Sequence, residues 1–149
     1  MEPINDYMME DHRTCDASFD RAVAAAQSGD WDSAGREANA FLARIERHIE
    51  LEEDLLFPAF EESSGTSTGG PTETMRSEHT QMKPLFEQLR AALAAKNAGQ
   101  VERTGAALHE ILMPHNMKEE QMMYPMLDQA LGVDGAKAMV AKLRERAVS

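Results

Sequence analysis

The sequence predicts an all-α protein: an up-down-up-down antiparallel four-helix bundle built from a duplicated helical hairpin, followed by a short C-terminal helix. Three observations carry this. Ala, Leu, Met, Glu, Gln, Arg and Lys dominate, and aromatics make up 5% of the 149 residues, a balance that favours helix over strand. Apolar residues recur with a period near 3.6 in four long stretches. The second half also repeats the first at an offset of 67 positions: His48-Ile-Glu-Leu-Glu52-Glu53-Asp-Leu-Leu-Phe57-Pro58 aligns with His115-Asn-Met-Lys-Glu119-Glu120-Gln-Met-Met-Tyr124-Pro125. The same offset pairs Met8 with Met75, Asp11-His12 with Glu78-His79, and Phe19 with Phe86.

Each element follows from its apolar stripe. The first helix carries Ile4, Met8, His12, Cys15, Phe19, Val23 and Ala26 and stops near Ser28-Gly29. Asp30 is the expected N-cap of the second, whose stripe is Ala34, Ala38, Phe41, Ile45, His48, Glu52 and Leu55, with an end around Pro58 to Phe60. Residues Glu61 to Pro71, rich in Ser, Thr and Gly, read as the linker between the two repeats. After Thr72 the third stripe is Met75, His79, Met82, Phe86, Leu89 and Leu93, running out near Lys96 to Gly99. The fourth holds Val101, Gly105, Leu108, Leu112, His115, Glu119, Met122 and Met126. A fifth, short helix over about 134–147 is capped by Asp134, with Met139, Val140 and Leu143 on one side. Helix pairs with short connections, repeated once, give the bundle over about 4–130, and the whole of 1–149 suits one domain.

Composition limits the function classes. A net charge of −11 argues against nucleic acid or an anionic membrane surface as partner. Cys15 is the one cysteine, which excludes an intrachain disulfide framework and a thiolate zinc cluster and suits a reducing compartment. The opening MEPINDYMMEDH has neither a basic n-region nor an apolar h-region, and no apolar run approaches the ~20 residues of a membrane span. A cytoplasmic location is the expectation.

Every apolar stripe contains one histidine, and two also contain a glutamate. A carboxylate in a bundle core is costly unless it is paired, protonated or bound to a cation. The spacing His48-x3-Glu52 places both side chains on one helix face, about 5–6 Å apart at Cβ, and the same holds for His115 and Glu119. With His12 and His79 from the other two helices, the set is four imidazoles and two carboxylates. It suffices for two ions with positions left open. Mixed imidazole and carboxylate donors suit iron, with manganese and zinc as alternatives. Paired ions lie ~3.5–4 Å apart, a gap that a carboxylate bridges, and Glu52 and Glu119 are the expected bridges.

Neighbouring residues are less decided. Glu53 and Glu120, about 100° further round the helix, fit a solvated face, a hydrogen bond to a ligand histidine, or ligation in place of the preceding acid. Tyr7 and Tyr124 are candidate donors to a bound oxygen species. His109, whose repeat mate is Leu42, reads as a surface residue, and Cys15 as a small buried one. Copper is conceivable from eleven methionines, among them Met122, Met123 and Met126, but their helical spacing reads as core. Pro84 and Pro114 are expected to interrupt their helices, the latter re-aiming His115.

The pattern His12 … His48-x3-Glu52 … His79 … His115-x3-Glu119 resembles the hemerythrin-like, HHE cation-binding family over roughly residues 1 to 130. The resemblance implies a non-haem di-iron centre with two bridging carboxylates and an oxo or hydroxo bridge. Oxygen-carrying hemerythrins have a further histidine from a His-x3-His pair on the third helix, but Met75 and Lys83 flank His79 here at those spacings. The four-histidine, two-glutamate set is more similar to bacterial proteins implicated in iron-centre repair and nitric oxide chemistry, although nothing here corresponds to their cysteine-bearing N-terminal domain.

These readings lead to a binding protein, taking oxygen, nitric oxide or iron itself for sensing, buffering or stress protection. The alternative is a redox enzyme acting on peroxide or nitric oxide or assisting iron-centre repair. A bundle whose metal is only a structural staple is the third reading.

Overall fold

A computed structural model describes residues 3–65 and 70–148, and they are helical almost throughout. Helices α1 (Pro3–Gln27) and α2 (Trp31–Leu51) form the first hairpin. A π turn over Glu52–Leu56 leads into α3 (Phe57–Ser64). Helices α4 (Pro71–Ala94) and α5 (Ala98–Lys118) form the second hairpin, followed by a π turn over Glu119–Met123 and α6 (Tyr124–Val148). α1 packs on α2 and α5, and α4 packs on α5 and α2, which closes the four-helix bundle.

Local chemistry sets the ends. Asp30 accepts a hydrogen bond from the Ser33 N–H, and Asn97 one from the Gln100 N–H, so each hairpin turn supplies the N-cap of its second helix. The first linker is shorter than expected, because helix continues past Pro58 to Ser64 and stops at Gly65, whose φ of 72° suits glycine. Linker residues 66–69 lie outside the described residues. α4 begins at Pro71, the favoured first helical position for proline. In α6 the helical path breaks at Gly132 (φ 74°, ψ 175°), which separates the fourth bundle helix from the C-terminal helix close to the expected Asp134.

Pro84 and Pro114 sit inside continuous α-helices with their residues exposed to solvent, so neither interrupts its helix as expected. The departure from α geometry comes at the two π turns instead. Phe57 N–H bonds to Glu52 O and Tyr124 N–H to Glu119 O, each five residues back. Pro58 and Pro125 follow directly. A proline ring collides with the carbonyl four residues earlier in an α-helix, and one extra residue in the turn relieves that collision.

The extra residue also rotates everything after it. Met122 and Met126, expected on the core stripe, are 48% and 47% exposed, while Met123 and Leu127 are buried in their place. Leu56 likewise takes the buried position expected of Leu55. An apolar cluster lies at each end of the bundle. One includes Phe41, Ile45, Phe86, Leu89 and Leu108. The other joins Ile4, Met8, Phe57 and Tyr124 to Ala136, Val140 and Leu143, so the C-terminal helix covers that end.

The start of α1 depends on a distant carboxylate. Ile4 N–H and Asn5 N–H, two donors with no partner inside their own helix, bond to Asp128 Oδ1 and Oδ2 at 2.9 and 3.0 Å. Asp128→Ala removes both acceptors and is expected to cost about 1–3 kcal/mol, read from chemical denaturation of the purified chain.

Candidate metal centre

His12 on α1, His48 on α2, His79 on α4 and His115 on α5 converge between the two apolar clusters. Glu52 and Glu119 join them from the first residues of the π turns. None of the six is more than 2% exposed. The imidazoles form two pairs, His12 with His48 (ring centroids 4.6 Å apart) and His79 with His115 (4.9 Å). Each carboxylate reaches one ring of each pair. Glu52 Oε2 lies 3.7 Å from His48 Nε2, and its Oε1 lies 3.1 Å from His79 Nε2. Glu119 Oε1 lies 3.2 Å from His12 Nε2, and its Oε2 lies 3.3 Å from His115 Nε2.

Every histidine is aimed by an acid behind it. His12 Nδ1–H donates to Glu120 Oε2 (2.6 Å) and His79 Nδ1–H to Glu53 Oε2 (2.8 Å). His48 Nδ1–H donates to Asp11 Oδ2 (2.6 Å) and His115 Nδ1–H to Glu78 Oε1 (2.8 Å). Carboxylates on Nδ1 fix the tautomer, turn Nε2 inward and raise its basicity. Of the open readings for Glu53 and Glu120, this geometry gives them the hydrogen bond to histidine. Asp11 and Glu78 were not among the expected site residues. Their signal lay in the repeat, as the acids directly before His12 and His79. Arg44 donates in turn to Asp11, and Lys118 to Glu78. Those two cations are not repeat mates, so duplication kept the acid and each half found its own counter-charge.

The site's protons follow from these contacts. Burial works to lower the pKa of His12, but its hydrogen bonds to Glu119 and Glu120 outweigh burial and push it up to about 10. For His115 burial is likewise outweighed, by the charge and hydrogen bond of Glu119, which push it to about 9. Burial and the negative charge of Glu119 raise Glu52. Burial opposes ionisation of Glu119 too, yet the charge of His115 and the hydrogen bond from Glu52 hold it well below the usual carboxylate range. Without a cation, protons on His12, His79, His115 and Glu52 balance the buried charge. A metal ion takes over that role.

Within the site, Glu52 Oε1, His79 Nε2 and Glu119 Oε2 have no hydrogen-bond partner among the described residues. All three point into the same space, where one ligand atom each from Glu52, His79, His115 and Glu119 lie within 4.8 Å of one another. A second such group comprises His12, His48 and Glu119. Buried lone pairs converging at that spacing fit a cation.

Tyr124 also reaches the site, its Oη 2.5 Å from Glu52 Oε2. Tyr7 does not. It lies half-buried with Arg144 over its ring, since its place on α1 faces the C-terminal helix. His109 is exposed and Cys15 is buried, as expected.

An all-helical bundle with a buried imidazole and carboxylate cluster defines a metal-binding helical protein. The chain belongs to the hemerythrin family: the Hemerythrin HHE cation binding domain matches residues 4–127 and also 70–146, the second match beginning at the second repeat. An uncharacterized hemerythrin-like protein of Schizosaccharomyces pombe is 28% identical over 141 residues, 95% of this chain and 67% of that protein. No solved structure matches. No helix among the described residues is long and apolar enough to cross a membrane.

The acids behind the histidines give a direct test. Glu53→Ala or Glu120→Ala, each leaving all six inward-facing donors in place, is expected to weaken metal affinity by about 10- to 100-fold, measured by competition with a chelator of known affinity.

Proposed function

We propose that the whole chain is one hemerythrin-like domain of the four-histidine, two-glutamate type. It holds two iron ions in the cytoplasm and binds a small ligand, oxygen or nitric oxide, for sensing, buffering or stress protection. His12, His48, His79 and His115 are the nitrogen ligands, and Glu52 and Glu119 are the bridging carboxylates. The observation that carries the reading is the way each glutamate spans both histidine pairs, one oxygen to each. Two iron ions in this place would supply a redox-active centre able to take up a diatomic molecule.

The chain's own contribution is arrangement and exclusion. Acids on Nδ1 hold four imidazoles in the ligating tautomer. The apolar clusters on either side keep bulk water out, and all six donors are buried. Enclosure of the donors favours a small ligand over a larger substrate.

Anaerobic purification, iron loading and metal counting test the reading, followed by optical spectra on adding oxygen, nitric oxide or peroxide. About two irons per chain and a reversible spectral change on adding gas are expected. The double variant His48→Ala/His115→Ala should lose most of the metal. Fewer than about one metal per chain, or a double variant that binds as the parent does, overturns the proposal. Sustained consumption of peroxide or nitric oxide with added reductant would make the protein an enzyme instead.

A further inference from the structure

The duplication breaks at one place inside the site. Phe57 and Tyr124 occupy the same repeat position, each directly after its π turn, and both are fully buried. Phe57 stacks on the His79 ring, with centroids 5.6 Å apart and planes 18° from parallel. Tyr124 instead carries its hydroxyl in among the donors of the other half. Oη lies 2.5 Å from Glu52 Oε2, 2.9 Å from Glu119 Oε1, 3.3 Å from His48 Nε2 and 3.5 Å from His12 Nε2.

Four such neighbours are more than a hydroxyl can satisfy. A phenol has one proton to donate. In the ligating tautomer, with Nδ1 protonated toward Glu120 and Asp11, both imidazole Nε2 atoms are acceptors, as are both carboxylate oxygens. In that state one proton serves one of the four, and the others face an oxygen lone pair, whereas an imidazole protonated in the absence of metal can donate to Oη. A cation between them removes that conflict. The spacing agrees, because donors at right angles about 2.1 Å from one ion lie ~3.0 Å apart, and the four distances to Oη scatter around that value.

The two halves also differ in their other donors. Glu52, His79, His115 and Glu119 suffice to draw four ligand atoms together on the Phe57 side. On the Tyr124 side that closeness extends to His12, His48 and Glu119, with Glu52 Oε2 standing 3.7 Å from His48. The phenol oxygen fills the remaining place.

Resting on the iron reading above, we infer that Tyr124 Oη is a protein ligand to the ion held by His12 and His48. The two ions are then unequal. The ion held by His79 and His115, beside the non-coordinating Phe57 ring, keeps the position open to a small exogenous ligand. On coordination the phenol's proton leaves to solvent, and the cation's charge takes its place.

The test uses the full chain loaded with ferric iron. Visible absorption and resonance Raman spectra are expected to show a phenolate-to-iron band with enhanced tyrosine ring vibrations. Tyr124→Phe should lose that band while still binding iron, and Tyr7→Phe should keep it. Should Tyr124→Phe fail to fold, tyrosine-ring deuteration in Tyr7→Phe decides alone, because Tyr124 is then the one tyrosine left of two. A deuterium shift of the enhanced vibrations supports the inference. Iron-loaded protein without tyrosine vibrations, or Tyr124→Phe with an unchanged band, overturns it. A chain that takes up no iron removes the proposed function itself, whereas iron bound without a phenolate signal removes this inference alone.

Discussion

Two glutamates, Glu52 and Glu119, sit at zero exposure in the middle of an apolar bundle, and the rest of the structure is arranged around that cost. An isolated carboxylate cannot stay ionised in such surroundings. Here four imidazoles face the pair, and each imidazole is backed by a further acid, so charge alternates outward from the centre to Arg44 and Lys118 near the surface. Protons balance the cluster in the absence of metal. Glu52 Oε1, His79 Nε2 and Glu119 Oε2, without hydrogen-bond partners among the described residues, mark where a cation fits.

The π turns convert this electrostatic problem into geometry. Each begins at a buried glutamate and is followed by an aromatic residue and then a proline, so the widened turn lies between the acid at the centre and the residue that cannot continue the α ladder. Glu52 and Glu119 enter the site from the ends of α2 and α5, while their neighbours Glu53 and Glu120 reach histidines of other helices. The insertion brings Phe57 and Tyr124 onto the site.

Duplication explains why so much of the centre was legible in one dimension. Four histidines and two glutamates in matched positions were readable because repeated letters at a fixed offset coincide with helical periodicity. The bundle followed from the same stripes. Less visible were Asp11 and Glu78, whose role depends on a neighbouring helix rather than on their own. Met122 and Met126 were misplaced because a period of 3.6 was carried through a turn that does not obey it. Pro58 and Pro125 held the clue, five residues beyond Glu53 and Glu120.

By itself the sequence determined the all-helical bundle, the hairpin repeat and the six converging donors. Spacing along one helix fixes which side chains share a face, and nothing more is needed for those. Tertiary structure decided which acid aims which histidine, that Tyr124 enters the site while Tyr7 lies against the C-terminal helix, and that the two halves differ. Those outcomes depend on rotation and contact between helices far apart in the chain. A one-residue π insertion, worth about 100° of helix rotation, contributes by turning Phe57 and Tyr124 inward.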